Sequence, residues 1–455
     1  MLVEKEGNGM IRSLTEGKTS KVLLTYTIPM FISVIFQQLY NIADSVIAGR
    51  FAGEDALAAI GASYPITMIF MAIAIGSNIG CCVVISGFFG GKQYEKMKTA
   101  ISTTLIACVV LSVILTLFGI VFRRGLMNLM KTPDNIFTDG VAYLSIYIAG
   151  FLFLFLYNIT TGIFTSLGDS KTPLIFLIIS SVGNVVLDVV FVAVFQWGVR
   201  GAAWATFLAQ GLASILSIIT LRKRVSEVKT NAYPYFSFPM LKKVASIAIP
   251  SILQQSFISI GNLFIQILVN GFGSSVIAGY SAAIKLNTFA ITSLTTLGNG
   301  ISGFTAQNLG GKKIKRVKEG LKTGMVIGLS VAVVFFAVYF GLAGSMINTF
   351  VKGEGRAIQT GVAFLKIVTP FYLIVCIKLI CDGVLRGAEA MRCFMIATFT
   401  DLILRVILAY LLVGRFGTQG IWMSWPIGWT ISAVLSFYFY VSHKWIPKRL
   451  KENEA

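Results

Sequence analysis

The sequence is poor in charge, poorer still in acids, and empty of the common signatures of nucleotide, metal and disulfide chemistry. Only 13% of its 455 residues are charged while 56% are hydrophobic, and the mean hydropathy is +0.80. Such a chain has too little polar surface to cover itself in water. Acids number 19 against 38 Lys and Arg. The resulting net charge of +19 would suit a nucleic-acid partner, but the basic residues fall in short clusters between apolar runs. No nucleic-acid partner is therefore expected. The six cysteines (Cys81, Cys82, Cys108, Cys376, Cys381 and Cys393) lie in or beside apolar runs without metal-ligand spacing, as small packing residues do. No Walker A loop is present, which excludes ATP as the expected direct energy source. The first twenty residues are polar and mixed in charge, so no cleavable signal peptide is expected. No cofactor is called for.

Long uncharged stretches dominate instead, such as 109–122 and 327–342. Strands of a membrane barrel would alternate polar with apolar residues. Unbroken apolar runs suit helices, whose backbone groups satisfy one another inside lipid. Windows of about 20 residues predict an all-α polytopic membrane protein with about twelve transmembrane helices. They cover 22–49, 56–87, 99–122, 137–165, 172–196, 201–221, 244–272, 276–307, 323–346, 358–385, 393–414 and 418–442. Of the 38 basic residues, 26 fall on the side shared by both termini, 8 on the other and 4 within spans. The positive-inside rule then predicts both termini in the cytoplasm.

The chain repeats itself at an offset of about 220. Ile28-Pro29 answers Ile249-Pro250, Asn41 answers Asn262, and Asn78 answers Asn299. Gly90-Gly91-Lys92 answers Gly310-Gly311-Lys312, Gly168 answers Gly387, and Gly198 and Gly201 answer Gly417 and Gly420. Two pseudo-symmetric six-helix bundles follow: an N-lobe over 1–225, a cytoplasmic linker over 226–243 and a C-lobe over 244–455. Six helices bring each half back to its starting side, so the repeats are parallel, as in transporters whose two bundles rock. A duplication of this kind argues for transport over a receptor or a membrane-embedded enzyme. An intramembrane aspartyl protease would need a Gly-x-Gly-Asp motif, which is absent.

Ionisable groups inside membrane spans are costly and mark function by default. Four acids lie well inside spans: Asp44, Asp188, Asp382 and Asp401. Lys378 with Asp382, and Asp401 with Arg405, are i,i+4 neighbours on one helix face and read as structural ion pairs, or as parts of coupling or gating. Asp44 and Asp188 have no such neighbour. Each must hold a proton, bind a cation or meet a distant base, which is the chemistry an antiporter needs. Asn184 lies one turn before Asp188, and Thr206 follows on the next helix. Carboxylates, an amide and a hydroxyl form a hard-oxygen set suited to Na⁺ or to a proton network.

The stretch Gln37-Gln38-Leu39-Tyr40-Asn41-Ile42-Ala43-Asp44, leading to Gly49, resembles the first helix of the MATE (multidrug and toxic compound extrusion) family. So do Leu167-Gly168-Asp169-Ser170-Lys171-Thr172-Pro173, Asn184-x-x-x-Asp188 and Gly201-Ala202-Ala203-Trp204-Ala205-Thr206. Ala306-Gln307-Asn308-Leu309-Gly310 resembles the matching segment of the second half. The likeness spans nearly the whole chain. It implies a twelve-helix, V-shaped, monomeric carrier in the plasma membrane of a bacterium, exporting small organic compounds in exchange for H⁺ or Na⁺. Similarity to the DinF-like branch implies an N-lobe proton or cation site at Asp44, Asn184, Asp188 and Thr206, with Tyr143. It also implies that the first helix bends near Pro29, which matches Pro250 in the second half. The NorM-like branch places acids on the first two helices of the C-lobe, where this chain has none and Ile265 stands opposite Asp44. A flippase for lipid-linked oligosaccharide, from the same superfamily, is the alternative. Lys285 is a lone cation in the eighth span.

Overall fold

The computed structural model describes residues 12–351, 355–447 and 450. The polar stretch up to residue 11 lies outside the described residues, as do Lys352, Lys448, Arg449 and Lys451 of the charge count. Among the described residues every regular element is helical. The twelve expected segments fall on α1 (Thr19–Ile47), α2 (Glu54–Gly90), α3 (Tyr94–Leu129), α4 (Asp134–Ala149) with α5 (Phe151–Ser166), α6 (Lys171–Asp188) and α7 (Gly198–Glu227). They continue with α8 (Phe238–Asn270), α9 (Ser274–Gly310), α10 (Ile314–Gly341), α12 (Arg356–Val368) with α13 (Tyr372–Gly387), α14 (Met391–Phe416) and α15 (Thr418–Val441). A short α11 (Ala343–Phe350) follows α10.

Among the described residues nine helical stretches are long and apolar enough to cross a membrane, ten if α4 and α5 count as one span bent by 45°. The two others, α9 and α15, have the length but carry Ser, Thr, Asn, Trp and Tyr, which lower mean hydropathy. The bend between α4 and α5 falls at Gly150, and the break between α12 and α13 at a 3₁₀ turn containing Pro370. Proline removes a backbone donor there, and the tighter turn absorbs the loss.

The repeat is written into the backbone as well as the sequence. Gly53 and Gly273 open α2 and α9 at φ of 89° and 90°, and Gly198 and Gly417 both lie at 57°. Lys92 and Lys312, at 56° and 58°, take the same left-handed conformation in the turns that follow. For an amino acid with a Cβ that conformation is uncommon, so its recurrence at one offset reflects a shared turn.

Contacts group the chain into two compact units. One holds Met1–Ser13 and Ile28–Gln255, the other Leu14–Thr27 and Ser256–Ala455. Membership therefore changes within α1, beside Pro29, and within α8, a few residues past Pro250. In the first unit α2 packs on α3, α4 and α5, and α7 on α4, α5 and α6. The opening half of α8 lies on α2 so closely that a Cβ on Gly80 would come within 2.7 Å of Ala248 N. In the second unit α9 packs on α10, α12 and α13, and α15 on α13 and α14. A strap from the start of the chain joins that unit: Leu14 N donates to Gln307 Oε1 over 2.9 Å, and Thr19 Oγ1 to Glu319 Oε2 over 2.8 Å. Leu14 is 2% exposed.

Lipid-embedded helices gain little from burying apolar groups against one another, so close backbone approach matters more. The α9–α13 crossing uses it: a Cβ on Gly383 would run into Gly298 O, and one on Gly387 into Ser302 O. Gly383→Leu should lower the unfolding temperature in detergent by an amount equivalent to about 1–3 kcal/mol of overpacking. Gly414→Ala, where a Cβ would meet nothing within 4 Å, should leave it within error.

Candidate functional site

Four helices of the first unit converge on one cluster. Tyr40 and Asp44 come from α1, Tyr143 from α4, Asn184 and Asp188 from α6, and Thr206 from α7. Tyr40 with Asp44, and Asn184 with Asp188, are i,i+4 pairs and so share a helix face. Both aspartates stand where a regular helix gives way. α1 passes into a π-helical turn over Ala48–Ala52, and α6 into another over Val189–Val194, directly after Asp188. A π turn takes backbone groups off the i→i−4 ladder and is frequent at functional sites. The two π turns touch each other and α7, with Ile47, Val192 and Ala202 packed between them.

The carboxyl groups of Asp44 and Asp188 are in hydrogen-bond contact. Two carboxylates repel, and neither has a donor, so the contact is a bond only when a proton sits on one of them. Asp188 is 1% exposed, while Asp44 is half-buried. With its amide oriented by the surrounding network, Asn184 donates from Nδ2 to Asp188 Oδ2 over 2.6 Å and accepts from Thr206 N over 3.0 Å. Asp188 Oδ1 finds no N–H or O–H donor among the described residues. The Asp44 carboxyl touches this carboxyl group and becomes a donor to it when protonated. Thr206 donates its hydroxyl to Ala202 O over 3.1 Å, so the Tyr40 hydroxyl that bonds to Thr206 is the donor of that pair. Tyr40 and Tyr143 both lie close enough to Asp44 and Asp188 for electrostatic interaction.

The structure thus brings together all five residues expected at this site and adds Tyr40. That tyrosine lay in the first-helix motif, and its place one turn before Asp44 was the available signal. Among the described residues no three His, Cys, Asp or Glu side chains gather as metal ligands. For Na⁺ the oxygen set is present in kind. Asn184 turns its N–H toward Asp188 and gives its oxygen to the backbone of α7.

Among its described residues the second unit has no such cluster. Opposite Asp44 stands Ile265, 0% exposed. Lys378 Nζ donates to Asp382 Oδ2 over 2.9 Å, and Ser436 Oγ of α15 donates to Asp382 Oδ1 over 2.5 Å. Arg405 Nη2 donates to Asp401 Oδ2 over 3.4 Å while its guanidinium lies 4.5 Å over the Trp425 ring. All four charged residues are buried. Each charge has its partner on its own helix, one turn away. Lys285 is exposed on α9.

The sequence model of the MatE family matches twice, over residues 29–190 and 250–411, once in each half. The chain belongs to the MatE family. Membership makes it a membrane transporter and not an enzyme. It is 27% identical to the probable multidrug resistance protein YpnP of Bacillus subtilis, over 96% of this chain and 98% of that one. It is 22% identical to the multidrug export protein MepA of Staphylococcus aureus (strain NCTC 8325), over 91% and 92% of the two chains. Among solved structures, an outward-facing multidrug resistance MATE transporter superposes with a TM-score of 0.90 at 23% identity, over 99% and 100% of the two chains. A MOP-superfamily transporter from Pyrococcus furiosus gives 0.89 at 23% identity over 97% and 98%. That likeness extends the twelve-helix fold to this chain.

Breaking a buried pair strands a charge. Asp382→Asn should destabilise the protein by about 3–5 kcal/mol, read as a fall in unfolding temperature. Replacing Lys378 by Met and Asp382 by Leu together should recover most of it. A double variant as unstable as Asp382→Asn would point to a role beyond mutual neutralisation.

Proposed function

We propose that the chain is a proton-coupled exporter of organic compounds that works by alternating access, with Asp44 and Asp188 as its coupling pair. The observation that carries this reading is the direct contact of the two carboxyls, braced by the Asn184 N–H. A pair in that arrangement takes up one proton and becomes a compact hydrogen-bonded unit. Losing the proton leaves two negative charges in contact, and the helices that bear them are driven apart. Both side chains sit next to π turns, where α1 and α6 can change twist without breaking a full ladder of backbone bonds. Pro29, in the same helix as Asp44, offers a second point of bending, and Pro250 its counterpart. Protonation is thereby converted into a change of helix shape.

MepA is named a multidrug export protein and YpnP a probable multidrug resistance protein, and a substrate of that class, small organic and often cationic or amphipathic, is the reading for this chain. The basic-residue count supports a plasma-membrane orientation with both termini in the cytoplasm. Lobes over 1–225 and 244–455, joined by 226–243, follow from the repeat, and a monomer is sufficient for the cycle.

The test is transport in proteoliposomes of purified protein with a cationic dye, driving with a pH gradient or a Na⁺ gradient in separate runs. A pH gradient alone should drive uptake or efflux, and Asp44→Asn or Asp188→Asn should each reduce it at least a hundredfold while keeping the wild-type unfolding temperature within a few degrees. Wild-type rates in either variant would overturn the coupling pair. Transport driven by Na⁺ alone would keep the pair and change its ion.

A further inference from the structure

The linker between the two halves of the sequence is fastened to the first unit. Asn231 Nδ2 donates to Glu95 Oε1 over 3.0 Å, the Lys98 ammonium lies 5.5 Å over the Tyr233 ring, and Ser237 N donates to Thr103 Oγ1 over 3.1 Å. These contacts, all on the first turns of α3, hold the linker beside the turn that joins α2 to α3. A cavity of about 600 Å³ remains there, with Lys92, Gln93, Lys96, Lys229 and Thr230 in its lining. Three ammonium groups thus meet one carboxylate, Glu95, which Asn231 already engages. Among the described residues Lys92, Lys96 and Lys229 have no hydrogen-bond or ion-pair partner for their ammonium groups. All three lysines are exposed, so their ammonium groups are open to an anion from outside, and with three cations to one carboxylate the cavity favours one.

The second half of the chain answers what kind of group such a turn accepts. Its Gly310-Gly311-Lys312 turn repeats Gly90-Gly91-Lys92 in sequence and in backbone conformation. There Lys312, the counterpart of Lys92, is exposed, while Lys313 and Arg316 beyond it are bonded. Lys313 Nζ donates to Thr15 O over 2.8 Å. Arg316, at the position of Lys96 in the repeat, donates to Leu14 O over 3.3 Å, Gly17 O over 2.6 Å and Glu16 O over 2.8 Å. A row of oxygens, supplied by the strap, fills the site. In the first unit the linker crosses the matching turn without offering its carbonyls to Lys96, the counterpart of Arg316, and leaves that ammonium open to an oxygen-bearing anion.

We propose that this pocket binds a phosphate-bearing anion, supplied by the headgroup of an anionic lipid. A phosphate offers several acceptor oxygens to lysines converging from α2, α3 and the linker, and lysine is a compact cation well suited to it. The pocket lies where two apolar spans, α2 and α3, end, the level at which headgroups meet a membrane protein. Basic clusters just outside spans attract anionic lipid at about 1 kcal/mol per residue. The site is independent of the coupling pair and of the transported compound.

The experiment follows the unfolding temperature of full-length protein in neutral detergent, titrated with short-chain phosphatidylglycerol, phosphatidylcholine or inorganic phosphate. Phosphatidylglycerol should raise it saturably, and phosphatidylcholine should not. A variant with Lys92→Gln, Lys96→Gln and Lys229→Gln should bind on the order of a hundredfold more weakly. A control with Arg222→Gln, Lys223→Gln and Lys242→Gln, which removes equal charge outside the pocket, should stay within twofold. Should the triple variant fail to fold, Lys229→Gln alone, in the linker, should still weaken binding about fivefold. Equal losses in pocket and control variants, or no loss in either, would overturn the site. A pocket-dependent shift produced by inorganic phosphate alone would keep the anion site and overturn its lipid source.

Discussion

Contact between two carboxyl groups is the interaction on which the first unit turns. In a medium that offers neither water nor counterions, an ionised side chain is expensive, and two of the same sign in contact are more so. The rest of the cluster is arranged around that cost. Asn184 gives Asp188 a donor, the backbone of α7 holds Asn184, and Tyr40 bonds to Thr206 beside them. The helices that bear the aspartates lose their regular ladder just beyond them. Charge and irregular backbone therefore occur together in the first unit.

The second unit solves the same problem in the opposite way. Its buried acids carry their neutralisers on the same helix, four residues away, so no change of protonation is needed to keep them in place. Where the first unit has Asp44 it has a fully buried isoleucine. Two halves with the same turns and the same family match have thus parted in their electrostatics. Duplication supplied the scaffold, and the two halves differ in the buried charges it carries.

Much of this was legible in the sequence. Apolar runs marked the spans because lipid leaves no alternative to helix, and the offset matches marked the repeat because its turns demand left-handed backbone at fixed places. Asp44, Asn184 and Asp188 stood out as unpaired polar groups in apolar surroundings. Tyr40 did not, since a tyrosine in a membrane helix more often sits at an interface or in a core. The π turns were invisible for a different reason: nothing in the composition of Ala48–Ala52 and Val189–Val194 distinguishes a π turn from α-helix, and both lie against α7, a contact the sequence does not display. The strap was invisible too. Its contacts reach across some 300 residues and are made largely by backbone carbonyls, which leave no side-chain pattern.

That strap, with the exchanged start of α8, bears on the order in which the molecule can be made. The first unit is not closed when its own six spans have been synthesised, because the face of Gly76 and Gly80 on α2 waits for Ala248 and Ile252. Leu14, Gly17 and Thr19 bond to Gln307, Arg316 and Glu319, some 300 residues further along the chain, so these bonds wait for much of the second half. The two halves are consecutive in sequence but not in assembly. A chain cut in the linker would yield two fragments, each lacking a piece held by the other, and insertion into the membrane must precede the completion of either unit.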